Sequence, residues 1–195
     1  MVQPRLYLIA GHQVINNKGT GAHSPYGDEA VLAQTLRDDL AAELRAYGHQ
    51  VVTDVSANPL NAVLRWLRPL ATGKDVVIDI HFNAAASPQA NGTEVIIPRG
   101  HTAREIALAT RLSGVIAKTL GTRLRSGKMI YAGVKDETET AHGRIAILSQ
   151  ISAPTNVLIE VCFLSNYDDM TKFFGNRRHL VRELAKAISE FLHGR

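Results

Sequence analysis

Four residues have the types and positions from which a catalytic metal site can be built: His12, Glu29, His81 and Glu160. His12 follows the apolar run 6–10 through Gly11, His81 ends the run 76–80, and Glu160 ends the run 157–159. Glu29 falls in the first turn of a helical pattern, three residues before Leu32, on the stripe that faces the core. Taken singly these positions mean little. A lone histidine at a strand end is ordinarily a turn or core residue, and the helix dipole alone accounts for an acid in a first turn. Two such histidines beside a carboxylate are harder to bury without a common partner, and the dipole does not require an acid that faces inward. His12, Glu29 and His81 make a three-ligand set with an open fourth position, the pattern of catalytic zinc. A structural zinc site asks for four protein ligands, usually several cysteines, and the chain has only Cys162. There is no His-Glu-x-x-His helix, so the site must be assembled from separate elements.

The elements that would hold these residues alternate in type. Short apolar runs at 6–10, 50–53, 76–80, 94–97 and 157–161 are rich in β-branched residues and bounded by turn formers, as strands covered on both faces are. Between them Leu32, Leu36, Leu40 and Leu44 recur every four residues until Gly48. Asn58 and Pro59 predict a cap and a proline at the first helical position, followed by the stripe Leu60, Val63, Leu64 and Leu67, ending near Pro69. Thr102 and Glu105 form a capping box ahead of Ile106, Leu112, Ile116 and Leu120, and Gly121 closes that helix. Leu180, Leu184, Ile188 and Phe191 share a face near the C-terminus. The stretch 124–149 reads as a long loop beside a short helix. The pattern predicts an α/β fold, a single domain over 1–195 with a twisted, mostly parallel sheet flanked by helices on both faces. Open sheets of this kind bind ligands outside the carboxyl ends of their strands, where His12, His81 and Glu160 are expected.

Composition narrows the partners. With 45% hydrophobic and 21% charged residues over 195 positions, the chain can bury a full core. A net charge of +4 favours anionic partners such as nucleic acid, a membrane face or an acidic wall polymer. Binding of single-stranded nucleic acid would want a basic stripe interleaved with stacking aromatics, and aromatics are 6% of the residues. The basic residues are scattered apart from 123–128 and 177–179. No apolar run reaches the ~18 residues that span a bilayer. One cysteine permits no intrachain disulfide, which suits a reducing site of synthesis. The segment Met1–Arg5 has no basic start followed by a long apolar stretch, so synthesis in the cytoplasm without a signal peptide is expected.

At the candidate residues the sequence resembles the zinc-dependent N-acetylmuramoyl-L-alanine amidases of the Amidase_3 type. The resemblance rests on Ala10-Gly11-His12, the inward Glu29, Ile80-His81-Phe82-Asn83-Ala84, and Leu158-Ile159-Glu160-Val161-Cys162-Phe163-Leu164-Ser165-Asn166. It extends along nearly the whole chain, including Gly92-Thr93-Glu94-Val95 and the last helix. It implies that His12, Glu29 and His81 bind Zn2+, that Glu160 is the catalytic acid/base, and that the substrate is the amide joining N-acetylmuramate to L-alanine in peptidoglycan. Asn83 and Glu94 are expected as contacts to substrate or to the metal ligands. The chain departs from the family at Ile9 and Gln13, where Asp and Gly are usual, and at Cys162, where glycine is usual. By strand alternation Cys162 shares a face with Glu160, within approach of the metal; a small packed cysteine is the other reading. A zinc peptidase or other amidohydrolase would use the same metal set, with substrate choice carried by loops 13–26 and 128–142. A wall-binding module without activity would not need all four residues. The expectation is a monomeric wall hydrolase, released to its substrate in the manner of a single-domain phage endolysin.

Overall fold

Five apolar runs and one segment expected to be loop form a six-stranded sheet in a computed structural model, which describes residues 4–71, 73–125, 127–128 and 131–194. The strands are β1 (Leu6–Ala10), β6 (Val51–Thr53), β7 (Val76–Asn83), β8 (Glu94–Ile97), β9 (Val134–Asp136) and β10 (Thr155–Phe163), in the order β6-β1-β7-β10-β8-β9. Every neighbouring pair is parallel except β10 with β8. Between β1 and the first helix the chain makes two small hairpins, β2 (Val14–Ile15) with β3 (Lys18–Gly19) and β4 (His23–Ser24) with β5 (Gly27–Asp28).

The alternation of side chains along the strands divides the core in two. Leu6, Leu8, Val76, Ile78, Ile80, Val157 and Ile159 pack against the long helices α1 (Glu29–Ala46), α3 (Ala103–Leu120) and α5 (Tyr167–Leu192). Tyr7, Ile9, Val77, Ile96 and Leu158 face the other way, toward the short helices α2 (Leu60–Leu67) and α4 (Ala146–Gln150). Two helices of eight and five residues cover little of a face that β7 and β10 cross with eight and nine. The rest of that face is an open cleft.

The predicted capping box closes α3 with both of its hydrogen bonds, and Gly121 takes the left-handed conformation at the other end. The start of α2 differs from expectation. Pro59 has extended backbone and precedes the helix, and the side chain of Asn58 makes no cap. The segment 124–149 is more ordered than a loop. Leu124 bridges to Thr93, β9 joins the sheet edge, and a 3-10 turn at Glu137–Glu139 precedes α4. Ser126, within the basic run 123–128, and Met129 and Ile130, within the loop 128–142, lie outside the described residues.

Candidate active site

Strand length builds the site. β1 stops at Ala10, whereas β7 continues to Asn83, so the edge of β7 beyond Ile80 has no strand beside it. The vacated Phe82 N–H donates instead to Glu29 Oε1 at 3.3 Å. Glu29 is the first residue of α1, and its Oε2 also accepts from Ala22 N at 3.0 Å. The inward position expected for it holds: Glu29 is 5% exposed.

His81 and Glu160 do not terminate their strands, as the sequence suggested. Both lie inside them, because β7 and β10 go on pairing past Ile80 and Ile159. They sit opposite one another in register, and Glu160 is likewise opposite Glu94 on β8. His81, Glu160 and Glu94 therefore form a row across three adjacent strands on the thinly covered face. The site occupies the carboxyl half of that face rather than the space beyond the strand ends.

His12 completes the group from the turn after β1. It has a left-handed backbone (φ 66°), which aims its ring back toward the sheet. Its Nε2 lies 3.1 Å from Glu29 Oε2, and His81 Nδ1 lies 3.0 Å from Glu29 Oε1. One ligand atom from each of His12, Glu29 and His81 falls within 4.8 Å of the other two. Two glycines make room for this. A Cβ on Gly11 would come within 2.5 Å of both ring nitrogens of His81, and one on Gly21 would press on the His12 ring and Glu29.

Asp79 escaped sequence reading. Its Oδ2 lies 3.2 Å from His81 Nε2, so the imidazole is held between two carboxylates. The signal was an acid in the middle of the run 76–80, two residues before His81 and hence on the same strand face. Asp79 Oδ1 and Glu160 Oε2 are buried with no hydrogen-bond partner among the described residues. His142 also lines the cleft, a loop residue with no sequence signal.

The electrostatics follow from crowding carboxylates into one cleft. Burial pushes the Glu160 carboxyl up to about 8; His81 pulls the other way, and Glu29, Glu94 and Asp79 add to the rise. Burial would likewise raise Glu29, but hydrogen bonds to His12 and His81 hold it well below the usual carboxylate range. Burial would lower His81, yet Asp79, Glu29 and Glu160 together raise it well above the ordinary imidazole value. Such a site attracts positive charge strongly.

The remaining expected residues are accounted for nearby. Asn83 Nδ2 donates to Glu94 Oε1 at 2.9 Å, so Asn83, which lines the cleft, is held by the buried Glu94. Ile9 packs among apolar residues of the α2 and α4 face. The end of β1 is tied instead by Asp54, which accepts from Ala10 N at 3.1 Å and from Arg37 Nη1 at 2.7 Å. The expectation that Cys162 shares a face with Glu160 is overturned. A bulge between Glu160 and Phe163 turns Val161 and Cys162 to the same side, into the core against Met170, away from the cleft.

The cleft measures about 400 Å³ and combines these polar groups with the apolar wall of Leu60, Val63, Ile147 and Leu158. A family model described as N-acetylmuramoyl-L-alanine amidase matches residues 6–193. Among solved structures, a Neisseria meningitidis protein assigned as an N-acetylmuramoyl-L-alanine amidase superposes with a TM-score of 0.80 at 31% identity, over 97% of this chain and 96% of that one. The catalytic domain of CD27L, an endolysin that targets Clostridia difficile, has a TM-score of 0.71 at 23% identity, over 98% of each chain. An N-acetylmuramoyl-L-alanine amidase of Clostridium difficile 630 has a TM-score of 0.75 at 21% identity, over 98% of this chain and 96% of that one. No curated protein matches the sequence.

Proposed function

The chain belongs to the Amidase_3 family of N-acetylmuramoyl-L-alanine amidases, and from that premise we propose that it hydrolyses its substrate with a zinc ion held by His12, Glu29 and His81 and with Glu160 as general base. The reaction itself is the family's: cleavage of the amide between N-acetylmuramic acid and L-alanine in peptidoglycan. Residues 1–195 are read as one catalytic domain, since the family match and the single central sheet both run through nearly all of them.

The observation that carries the assignment is the convergence of the three ligand atoms from β7, α1 and the turn after β1, with Glu160 on the adjoining strand. Their chemistry suits the ion. Zinc takes nitrogen and oxygen ligands at about 2.0–2.2 Å, which in a tetrahedron sets ligands roughly 3.3 Å apart. Both histidine nitrogens already stand 3.0–3.1 Å from a Glu29 oxygen. When bound, zinc supplies a Lewis acid for the scissile carbonyl and a bound water of lowered pKa.

The protein's residues do the rest. Asp79 accepts from the His81 nitrogen that does not face Glu29, fixing the tautomer and the plane of the ring. Glu160, one strand from His81 and with an unpartnered oxygen, takes the proton of the attacking water and returns it to the leaving amine of L-alanine. Leu60, Val63, Ile147 and Leu158 give the cleft an apolar wall beside the reacting centre. Digests of purified peptidoglycan test the assignment. The wild type should free L-alanine amino groups without new reducing sugar ends, lose this activity to a chelator and regain it with zinc. Glu160→Gln should retain zinc and lose turnover by a factor of at least about 10². Turnover that survives either chelation or the substitution refutes the assigned mechanism.

A further inference from the structure

Beyond Glu160 the row of residues across the sheet ends in positive charge that the hydrolysis described above does not use. Glu94 is 4% exposed and sits opposite Glu160 on β8. Its Oε1 accepts from Asn83, which lines the cleft. Its Oε2 receives two cations: Arg125 Nε at 2.8 Å and Lys135 Nζ at 2.6 Å. One carboxylate between two cations leaves the cluster with a surplus positive charge. Its donors are also in surplus. The Lys135 ammonium has three donors and, among the described residues, the single acceptor Glu94, although its side chain is only 14% exposed. Arg125 uses Nη1 on the Asn91 carbonyl and lies over the Phe163 ring, with its centre 4.7 Å from the ring centroid, while Nη2 has no partner among the described residues. A purely structural partner for Glu94 would need only one of these cations. Holding two long side chains at one buried carboxylate costs rotamer entropy and desolvation.

Resting on the amidase reading, the geometry points to a carboxylate-receiving subsite formed by Arg125 and Lys135, which binds the free carboxylate of the stem-peptide residue that follows L-alanine. Strand spacing sets the range. Neighbouring strands lie ~4.8 Å apart, so Glu94 stands about one strand and Lys135, on β9, about two strands from Glu160. A peptide advances at most roughly 3.5 Å per residue, so an anion one residue beyond L-alanine reaches this zone when the scissile amide is at Glu160. Glu94 serves as the fixed counter-charge that holds both cations together at the sheet edge, and its bond to Asn83, which lines the cleft, connects that pair to the cleft.

The test uses two soluble muramyl peptides that differ only at the second residue, a glutamyl residue with a free carboxylate or its amide (isoglutamine). Steady-state kinetics are measured for the zinc-loaded full chain, the wild type and the variants Lys135→Met and Arg125→Gln, with zinc content and thermal melts of each recorded. The wild type should favour the free carboxylate by about tenfold in kcat/KM, expressed mainly in KM, which corresponds to roughly 1.4 kcal/mol. Each variant should bring that ratio to within about twofold of unity while zinc content stays stoichiometric. The subsite is overturned by a wild type that does not discriminate, or by variants that slow both substrates equally. If the zinc-loaded wild type cleaves neither peptide, the amidase reading fails and the subsite fails with it. Cleavage of both without preference refutes the subsite alone.

Discussion

Replacing Gly11 with alanine should disable the metal site while leaving the fold intact. Gly11 is among the described residues and does not have a left-handed backbone, so alanine can adopt its conformation without strain. Relief of unfolded-state entropy would even stabilise such a variant by about 0.4–1 kcal/mol. The obstacle is His81. A Cβ at Gly11 would lie 2.5 Å from both ring nitrogens, and ordinary van der Waals contact begins near 3.4 Å. The ring must therefore withdraw by about 1 Å, several times the ±0.2 Å within which metal-ligand distances are held. Withdrawal also breaks the contacts of 3.0 Å to Glu29 and 3.2 Å to Asp79. Loss of a residue that merely supports a ligand typically weakens metal affinity 10- to 100-fold, so displacing the ligand itself should raise the zinc Kd by at least about 100-fold, or roughly 2.8 kcal/mol. Competition against a chromophoric chelator measures the Kd, and urea melts of the zinc-free protein report the fold. A Gly11→Ala protein that binds zinc within threefold of wild type would refute the steric reasoning. Gly21 is a poorer probe, because φ +88° adds backbone strain to the contact with His12 and Glu29.

Three further outcomes test neighbouring parts of the argument. Because His81 is held protonated well above its ordinary pKa, zinc must displace that proton; apparent affinity should fall as pH is lowered, with the proton released on binding, measured by calorimetry in two buffers, as the check. Asp79→Asn removes one source of the raised pKa, so the pH midpoint of zinc binding should move down while the limiting affinity at high pH weakens about 10- to 100-fold. An unmoved midpoint would mean that Asp79 does not act through His81. Cys162→Ala should cost about 1 kcal/mol in urea melts, as expected for removing one buried polarizable atom, with zinc affinity unaltered; loss of zinc would place the thiol at the metal after all.

The four residues first singled out were legible because each stands where an apolar pattern ends or turns, and the element order followed from the same patterns. The inward face of Glu29 could be read from its three-residue spacing to Leu32, since helical periodicity alone fixes that direction. Less legible were features that depend on which strands are neighbours. β9 has only three residues and pairs at the edge with β8, so it has no apolar run of its own. Arg125 and Lys135 meet at Glu94 only because the 124–149 segment returns to that edge, a fact of tertiary pairing. Asp79 was visible in the sequence, but its role required knowing that His81 would remain inside the strand.

Cys162 shows why strand alternation can fail beside a functional residue. Applied strictly, period two puts 158, 160 and 162 on one face, and Leu158 and Glu160 obey it. The bulge inserts one residue after Glu160, so the chain leaves the cleft immediately after the Glu160 carboxylate has been presented to it. Thr93 Oγ1 takes up the Val161 carbonyl at 2.8 Å, and Asp169 Oδ2 accepts from Phe163 N at 3.0 Å, so the altered backbone keeps its hydrogen bonds. The same Asp169 oxygen accepts from Gly92 N at 2.8 Å, which ties the segment before β8 to the bulge. The ladder that sets Glu160 opposite Glu94 is thus continued past the bulge by one buried carboxylate on α5, from a helix start that has no residue among those lining the cleft.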